Sequence, residues 1–230
     1  MSSIDNPFMM NSDADVQKID LPYYERHYWQ IDDFYAFPDR VNEYLDTKCK
    51  YTLFKEGDPE SLNGKKFADR RHSGTHPGME GVSLTLATIC GAKEYKNEPS
   101  TILTNTFTFY DSEFDKHETH WWWPHLDHGW TALIYLNEGG CEGTNLYHRQ
   151  GFPKMIAQHG FDSAIRTGHE RNAEHIDPWS PKDRWIKGGN IPSKYNRAII
   201  FPSLIYHGMA IESNRWHNEV RRNQVFFFHY

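Results

Sequence analysis

Cysteine is scarce: 230 residues contain only Cys49, Cys90 and Cys141. An odd number with no close CxxC pairing argues against both a disulfide framework and a thiolate zinc site. Free thiols in a reducing compartment, the cytoplasm, are the expectation. Positive charge is short as well, with 25 Lys and Arg against 31 Asp and Glu for a net charge of −6. No global positive field exists to hold phosphate backbones or an anionic leaflet, so neither nucleic acid nor a membrane is an expected partner. Residues 1–20 lack the basic start and the apolar stretch of a signal peptide. Nowhere does an apolar run approach the roughly 18 residues of a membrane span. Internal repeats and low-complexity tracts are likewise missing.

What is present suits one globular domain. A chain of this length holds one sizeable core more comfortably than two, and its 38% hydrophobic and 15% aromatic residues can fill it. Few large apolar groups punctuate residues 1–20, which read as a mobile tail ahead of a single domain over 21–230. A strand is predicted over His27–Tyr35, then a helix over Pro38–Lys48 that has proline at its first position and Val41, Tyr44 and Leu45 on one face. Residues 49–80, rich in Gly, Lys, Arg and Asp, read as a long loop. Val82, Leu86, Ile89 and Cys90 recur at helical spacing, with Gly91 as an interruption. From Thr101 onward short alternating segments predict strands near 102–110, 120–127, 131–137, 144–148, 197–202, 205–211 and 222–229. The fold class expected is mainly β with flanking helices, a sandwich or barrel of antiparallel strands over about 101–230. Residues 149–196 break that rhythm and read as a long insertion of the kind that forms lids. Its Trp179, Trp185, His169, His175 and Arg171 mix stacking and hydrogen-bonding groups, so it is expected to face substrate.

The chemistry concentrates in Trp121-Trp122-Trp123-Pro124-His125-Leu126-Asp127-His128. On a strand, residues two apart share a face, so His125 and Asp127 can offer an imidazole and a carboxylate to one metal ion. Far downstream His207 supplies a second imidazole. Two His and one carboxylate on one face of an octahedron, with the remaining positions open, characterise non-haem Fe(II) oxygenases. In a chain with fourteen histidines an HxD alone means little, and the surrounding order of motifs adds the weight. Tyr135-Leu136-Asn137 closes the next strand, a glycine-rich turn runs from Gly139 to Thr144, and Phe201-Pro202-Ser203 precedes Tyr206-His207. A last strand opens with arginines. His217 and Glu219 also form an HxE, but in a polar loop poorly suited to fixing metal geometry. His120 and His128 flank the proposed ligands and are expected behind them or at the surface. At least one of the three consecutive tryptophans is expected at the pocket mouth.

Over roughly Thr101 to Tyr230 this order resembles the Fe(II)- and 2-oxoglutarate-dependent dioxygenases, most closely their prolyl-hydroxylase-like branch. The resemblance implies a double-stranded β-helix, the jelly roll shared with cupins, holding Fe(II) through His125, Asp127 and His207. It implies 2-oxoglutarate as co-substrate and O₂ as oxidant, with succinate and CO₂ released as an unactivated C–H bond is hydroxylated. The primary substrate, a small molecule or a peptide side chain, is left open, as is the oligomeric state. Because related halogenases replace the carboxylate, Asp127 speaks against halogenation. The resemblance further implies a basic residue near the start of the final strand for the distal carboxylate of 2-oxoglutarate, and an arginine's fork suits that partner. Arg222, two residues before an apolar and aromatic run, fits best, and Arg221 would point to the opposite face. The span from His207 to Arg222 is longer than the family's usual one, which keeps Arg215 in play.

Tyr135 stands where such enzymes place a tyrosine on the same carboxylate. Thr131, Leu133 and Tyr135 share one face and are the candidates to line the co-substrate site, with a purely core role for Tyr135 as the alternative, while Ala132, Ile134 and Leu136 share the other and would pack on helices. Met209 and Phe228 are further candidates for the pocket lining, with simple core packing the favoured alternative for both. Two rival readings stay open: a cupin-like metalloprotein that uses no 2-oxoglutarate, and a non-catalytic jelly-roll module that binds a sugar or peptide.

Overall fold

Alternation of buried and exposed side chains gives way, in the middle of this fold, to strands buried on both faces. The computed structural model describes residues 6–49, 52–53, 67–73, 76, 78–92, 102–109, 127, 129–138, 141–149, 185–210 and 221–228. In chain order these form β1 (Val16–Leu21), a 3-10 turn (Pro22–Tyr24), β2 (Arg26–Ile31), α1 (Pro38–Lys48), β3 (Thr52–Leu53), β4 (Phe67–Ser73) and α2 (Met79–Cys90). There follow β5 (Ile102–Phe109), β6 (Trp130–Tyr135), β7 (Cys141–Arg149), β8 (Trp185–Ser193), β9 (Ala198–Pro202), β10 (Tyr206–Met209) and β11 (Arg221–Phe228). The strands pair antiparallel into a large sheet ordered β1-β2-β9-β6-β11-β5-β4-β3 and a small one ordered β10-β7-β8. Among the described residues no helix is long and apolar enough to cross a membrane.

Strand parity sorts the large sheet's side chains into two cores. On one face Ala132 and Ile134 of β6, Ala198 and Ile200 of β9, and Phe226 and Phe228 of β11 pack with Val41 and Leu45 of α1 and Met79, Val82 and Leu86 of α2. The opposite face carries Leu133, Tyr135, Ile199, Phe201 and Val225, which cluster with Leu146 and Ile191 of the small sheet. Each fully buried aliphatic or aromatic side chain contributes about 1.5–3 kcal/mol, so both faces are committed and the central strands read as continuous apolar runs.

The helices follow from local rules. α1 begins with Pro38 at its first turn and has Asp39 early and Lys48 late, which suits the helix dipole. Gly91 does not interrupt α2 but ends it, in the left-handed region at φ 68° with its N–H donating to Thr88 O at 3.1 Å.

Three expectations change. Residues 6–21 are no mobile tail: Phe8 is 1% exposed, edge-on to Tyr44 with ring centroids 5.2 Å apart, and β1 pairs with β2 along its whole length. The apolar Phe8 and Met10, once they find the helix-side core, outweigh the polar residues around them. Residues 49–80 contain β3 and β4, which extend the large sheet beyond β5. Residues 149–196 end in β8, a strand paired with β7; positions 150–184 lie outside the described residues.

Candidate functional site

The two-sheet interior brings two of the sequence-predicted metal ligands together. His207, second residue of β10, is 4% exposed, and its Nε2 lies 3.3 Å from Asp127 Oδ2. Its Nδ1 is 2.8 Å from the carbonyl of Ile205. A carbonyl only accepts, so Nδ1 carries the proton and the tautomer is set. Nε2 then meets the carboxylate either as an imidazolium or as a bare lone pair. A neutral imidazole with its lone pair facing a carboxylate oxygen is two electron-pair donors aimed at one spot, the arrangement a cation relieves. A backbone carbonyl orienting the ligating ring is the usual outer-shell device of histidine metal sites. With Nε2 unprotonated, this imidazole and carboxylate form a donor pair suited to a divalent metal, and among the described residues no group of three such donors is found. His125, two residues before Asp127, lies outside the described residues, as do His120, His128, Arg215, His217, Glu219 and the three tryptophans.

Beside this pair, Tyr135 and Thr144 share a hydrogen bond of 2.7 Å between hydroxyls, both buried. Burial pushes the Tyr135 phenol up to about 12 against the opposing pull of Arg221 and of the Thr144 hydrogen bond, so it stays protonated at neutral pH. Arg221 is 4% exposed. Its guanidinium sits over the Tyr135 ring, 5.9 Å from the centroid, and donates to Asn223 Oδ1 at 2.9 Å and to Gly143 O at 3.3 Å. Gly143 is at φ 77°, and a side chain there would collide with the backbone of Ile191 and Ser193. Only glycine keeps that carbonyl where it accepts from both Arg221 and the N–H of Ala210.

Arg222 is placed elsewhere, and the preference for it over Arg221 on this face is corrected. β11 pairs with β6 so that Asn223 is opposite Tyr135 and Val225 opposite Leu133. Odd-numbered residues of β11 thus share the Tyr135 face, while Arg222, Gln224, Phe226 and Phe228 face the helices. Arg222 reaches α1, where it pairs with Asp46 and donates to Asn42 Oδ1 at 3.2 Å. Phe228 is helix-side core, the favoured of its two readings. Of the other expected residues, Leu133 is buried in the interior cluster, and Thr131 is buried with its hydroxyl 2.7 Å from Ser203 Oγ. Met209 lies opposite Thr144 in the register of β10 and β7. Thr144, Ser203 and Asn223 escaped sequence reasoning. Thr144 ends the glycine-rich turn, and that position was the available signal for it.

No family model matches the chain, and no curated protein does. Among solved structures it is similar to one titled as an Fe(II)/(alpha)ketoglutarate-dependent dioxygenase, TqaL, with 8% identity, 84% of this chain and 86% of that one covered, and a TM-score of 0.32. It is also similar to IDO from Bacillus thuringiensis, with 11% identity, 86% and 96% covered, and a TM-score of 0.29. Likeness this distant decides nothing about chemistry, which has to be read from the residues of the site.

Proposed function

We propose that this chain is an Fe(II)- and 2-oxoglutarate-dependent dioxygenase, a hydroxylase of the prolyl-hydroxylase-like branch working in the cytoplasm on a small molecule or peptide side chain. The observation that carries the reading is the tautomer-fixed Nε2 of His207 facing Asp127 Oδ2 at 3.3 Å. With His125 as third ligand, on sequence grounds, these residues would hold Fe(II). Iron there would supply the redox chemistry, in which O₂, 2-oxoglutarate and a C–H bond yield succinate, CO₂ and an alcohol.

The chain's own residues have separate tasks. Ile205 O holds the His207 ring so that Nε2 is available, and Asp127, partly exposed, supplies negative charge without closing the site. Arg221 takes over the role first expected of Arg222. It offers the distal carboxylate of 2-oxoglutarate a fork of charge-assisted bonds, and the hydroxyls of Tyr135 and Thr144 add neutral donors. Leu133, Phe201 and Val225, buried in the same cluster, keep water from that carboxylate. The sheet order supports a double-stranded β-helix, since from β6 to β11 the chain alternates between large and small sheets with only β7 and β8 consecutive in one.

The test is anaerobic Fe(II) loading followed by succinate analysis after exposure to O₂ with 2-oxoglutarate alone. Slow succinate formation is expected, abolished in folded Asp127→Ala and His207→Ala proteins. Stoichiometric iron with no succinate would move the chain to metalloproteins that use no 2-oxoglutarate. Normal turnover by Asp127→Ala would refute the ligand assignment.

A further inference from the structure

Asp127 and His207 lie on separate segments of the chain. Asp127 precedes β6 of the large sheet, and His207 belongs to β10 of the small one. Among the described residues, neither β6 nor its partners β9 and β11 pair with β10, so no described strand ladder joins the two donors. Among the described residues one turn links them, from Pro202 to Ile205. Ser203 O accepts from the Asp127 N–H at 3.1 Å, and Ser203 N–H donates to Gly129 O at 2.9 Å. At the other end of the turn Ile205 N–H closes on Pro202 O at 3.2 Å while Ile205 O fixes the His207 ring. The hydroxyls of Ser203 and Thr131, 0% and 2% exposed, meet at 2.7 Å and bind this turn sideways to β6.

Resting on the metal reading above, we propose that the Thr131–Ser203 hydroxyl pair is a positioning latch that sets the separation of Asp127 and His207 and hence the affinity of the site for divalent metal. The backbone bonds already join the turn to the Asp127 segment along the strand direction. A buried hydroxyl pair adds a lateral constraint, because each hydroxyl satisfies the other only at one offset. Slippage of a few tenths of an ångström is harmless to an apolar core but not to ligands that must meet one ion. In this role Thr131 acts as a positioning residue, through Ser203.

Co(II), which does not turn over with O₂ and 2-oxoglutarate, is the probe, read by calorimetry and by its d–d absorption. Thermal unfolding in EDTA reports stability without metal. Ser203→Ala and Thr131→Val are each expected to weaken Co(II) binding by about 10- to 100-fold, the range for lost outer-shell partners. The double variant should lose little more, because the two hydroxyls act as a unit. Thr131→Ser should bind within a few-fold of wild type. Thr131→Val, nearly isosteric, carries the test if Ser203→Ala does not fold. Lower stability in EDTA with unchanged Co(II) affinity and spectrum would overturn the latch and leave a folding role. Failure of the wild type itself to bind Co(II) or Fe(II) would overturn the metal reading and the latch with it. Binding by wild type and both single variants alike would overturn the latch alone.

Discussion

Arg221 and Arg222 are neighbours in sequence that carry the same charge into opposite environments. Arg221 ends among Tyr135, Asn223 and Gly143 in the two-sheet interior, whereas Arg222 pairs with a half-exposed Asp46 on α1. Truncating a buried partner of a charged ligand typically costs about 2–5 kcal/mol, or roughly 30- to 5,000-fold in affinity. Arg221→Ala should weaken 2-oxoglutarate binding by that order, measured by anaerobic titration of the Fe(II)-loaded protein. Arg222→Ala should leave that affinity alone and cost about 0–1 kcal/mol in unfolding, as for an exposed pair. The reverse result would return the role to Arg222. The sequence narrowed the choice to three arginines and stated that two of them oppose each other. It did not reveal which faces Tyr135, because that depends on β11's register against β6, and Val225 to Phe228 is apolar on both faces.

Elements that obey local rules were legible. α1 starts and stops at the predicted residues because Pro38 and the Val41/Leu45 stripe are local signals. β1 and β4 were not legible, since strands near a sheet's edge need little apolar alternation: VQKIDL is mostly exposed and FADRRHS is dominated by polar residues. β8 was hidden by two glycines and Pro192, which its place at the edge of the small sheet allows. The turn leading into β9 shows how much one residue can tie together. Asn196, buried at φ 60°, accepts from Tyr35 N–H with its side-chain oxygen and donates to Tyr35 O with its amide, both at 2.9 Å. Its backbone bonds to Phe34 N–H and Tyr135 O. Asn196→Ala would leave the N–H and C=O of buried Tyr35 without those partners and place a side chain ill-suited to a left-handed backbone. A loss of about 2–4 kcal/mol is expected in urea unfolding. Asn196→Gly should recover the backbone part of it, about 1 kcal/mol. Equal losses in the two variants would show that backbone strain contributes nothing.

At the scale of the molecule, the sequence indicated an antiparallel β architecture but not its neighbours. β2 lies beside β9 and β11 between β6 and β5, pairings between segments far apart in the chain that no local pattern announces. The central place of β11 has a consequence for how the protein is made. Until residues 221–228 have been added, β6 and β5 each present an unpaired edge to the gap that β11 fills, and positions 131–135 of β6 are all apolar or buried in the finished fold. Translation at about 5–20 residues per second leaves β6 waiting on the order of 5–20 s for β11 before the main sheet can close. Sheets built from distant pairings also close slowly afterwards. A chain ending at residue 220 should therefore give no cooperative unfolding transition and should pellet on expression; a soluble, cooperatively melting product would mean the sheet assembles without its centre. In the living cell the same interval makes the nascent protein a client of ribosome-associated and downstream chaperones, so its yield will respond to chaperone supply and growth temperature more steeply than its final stability would suggest.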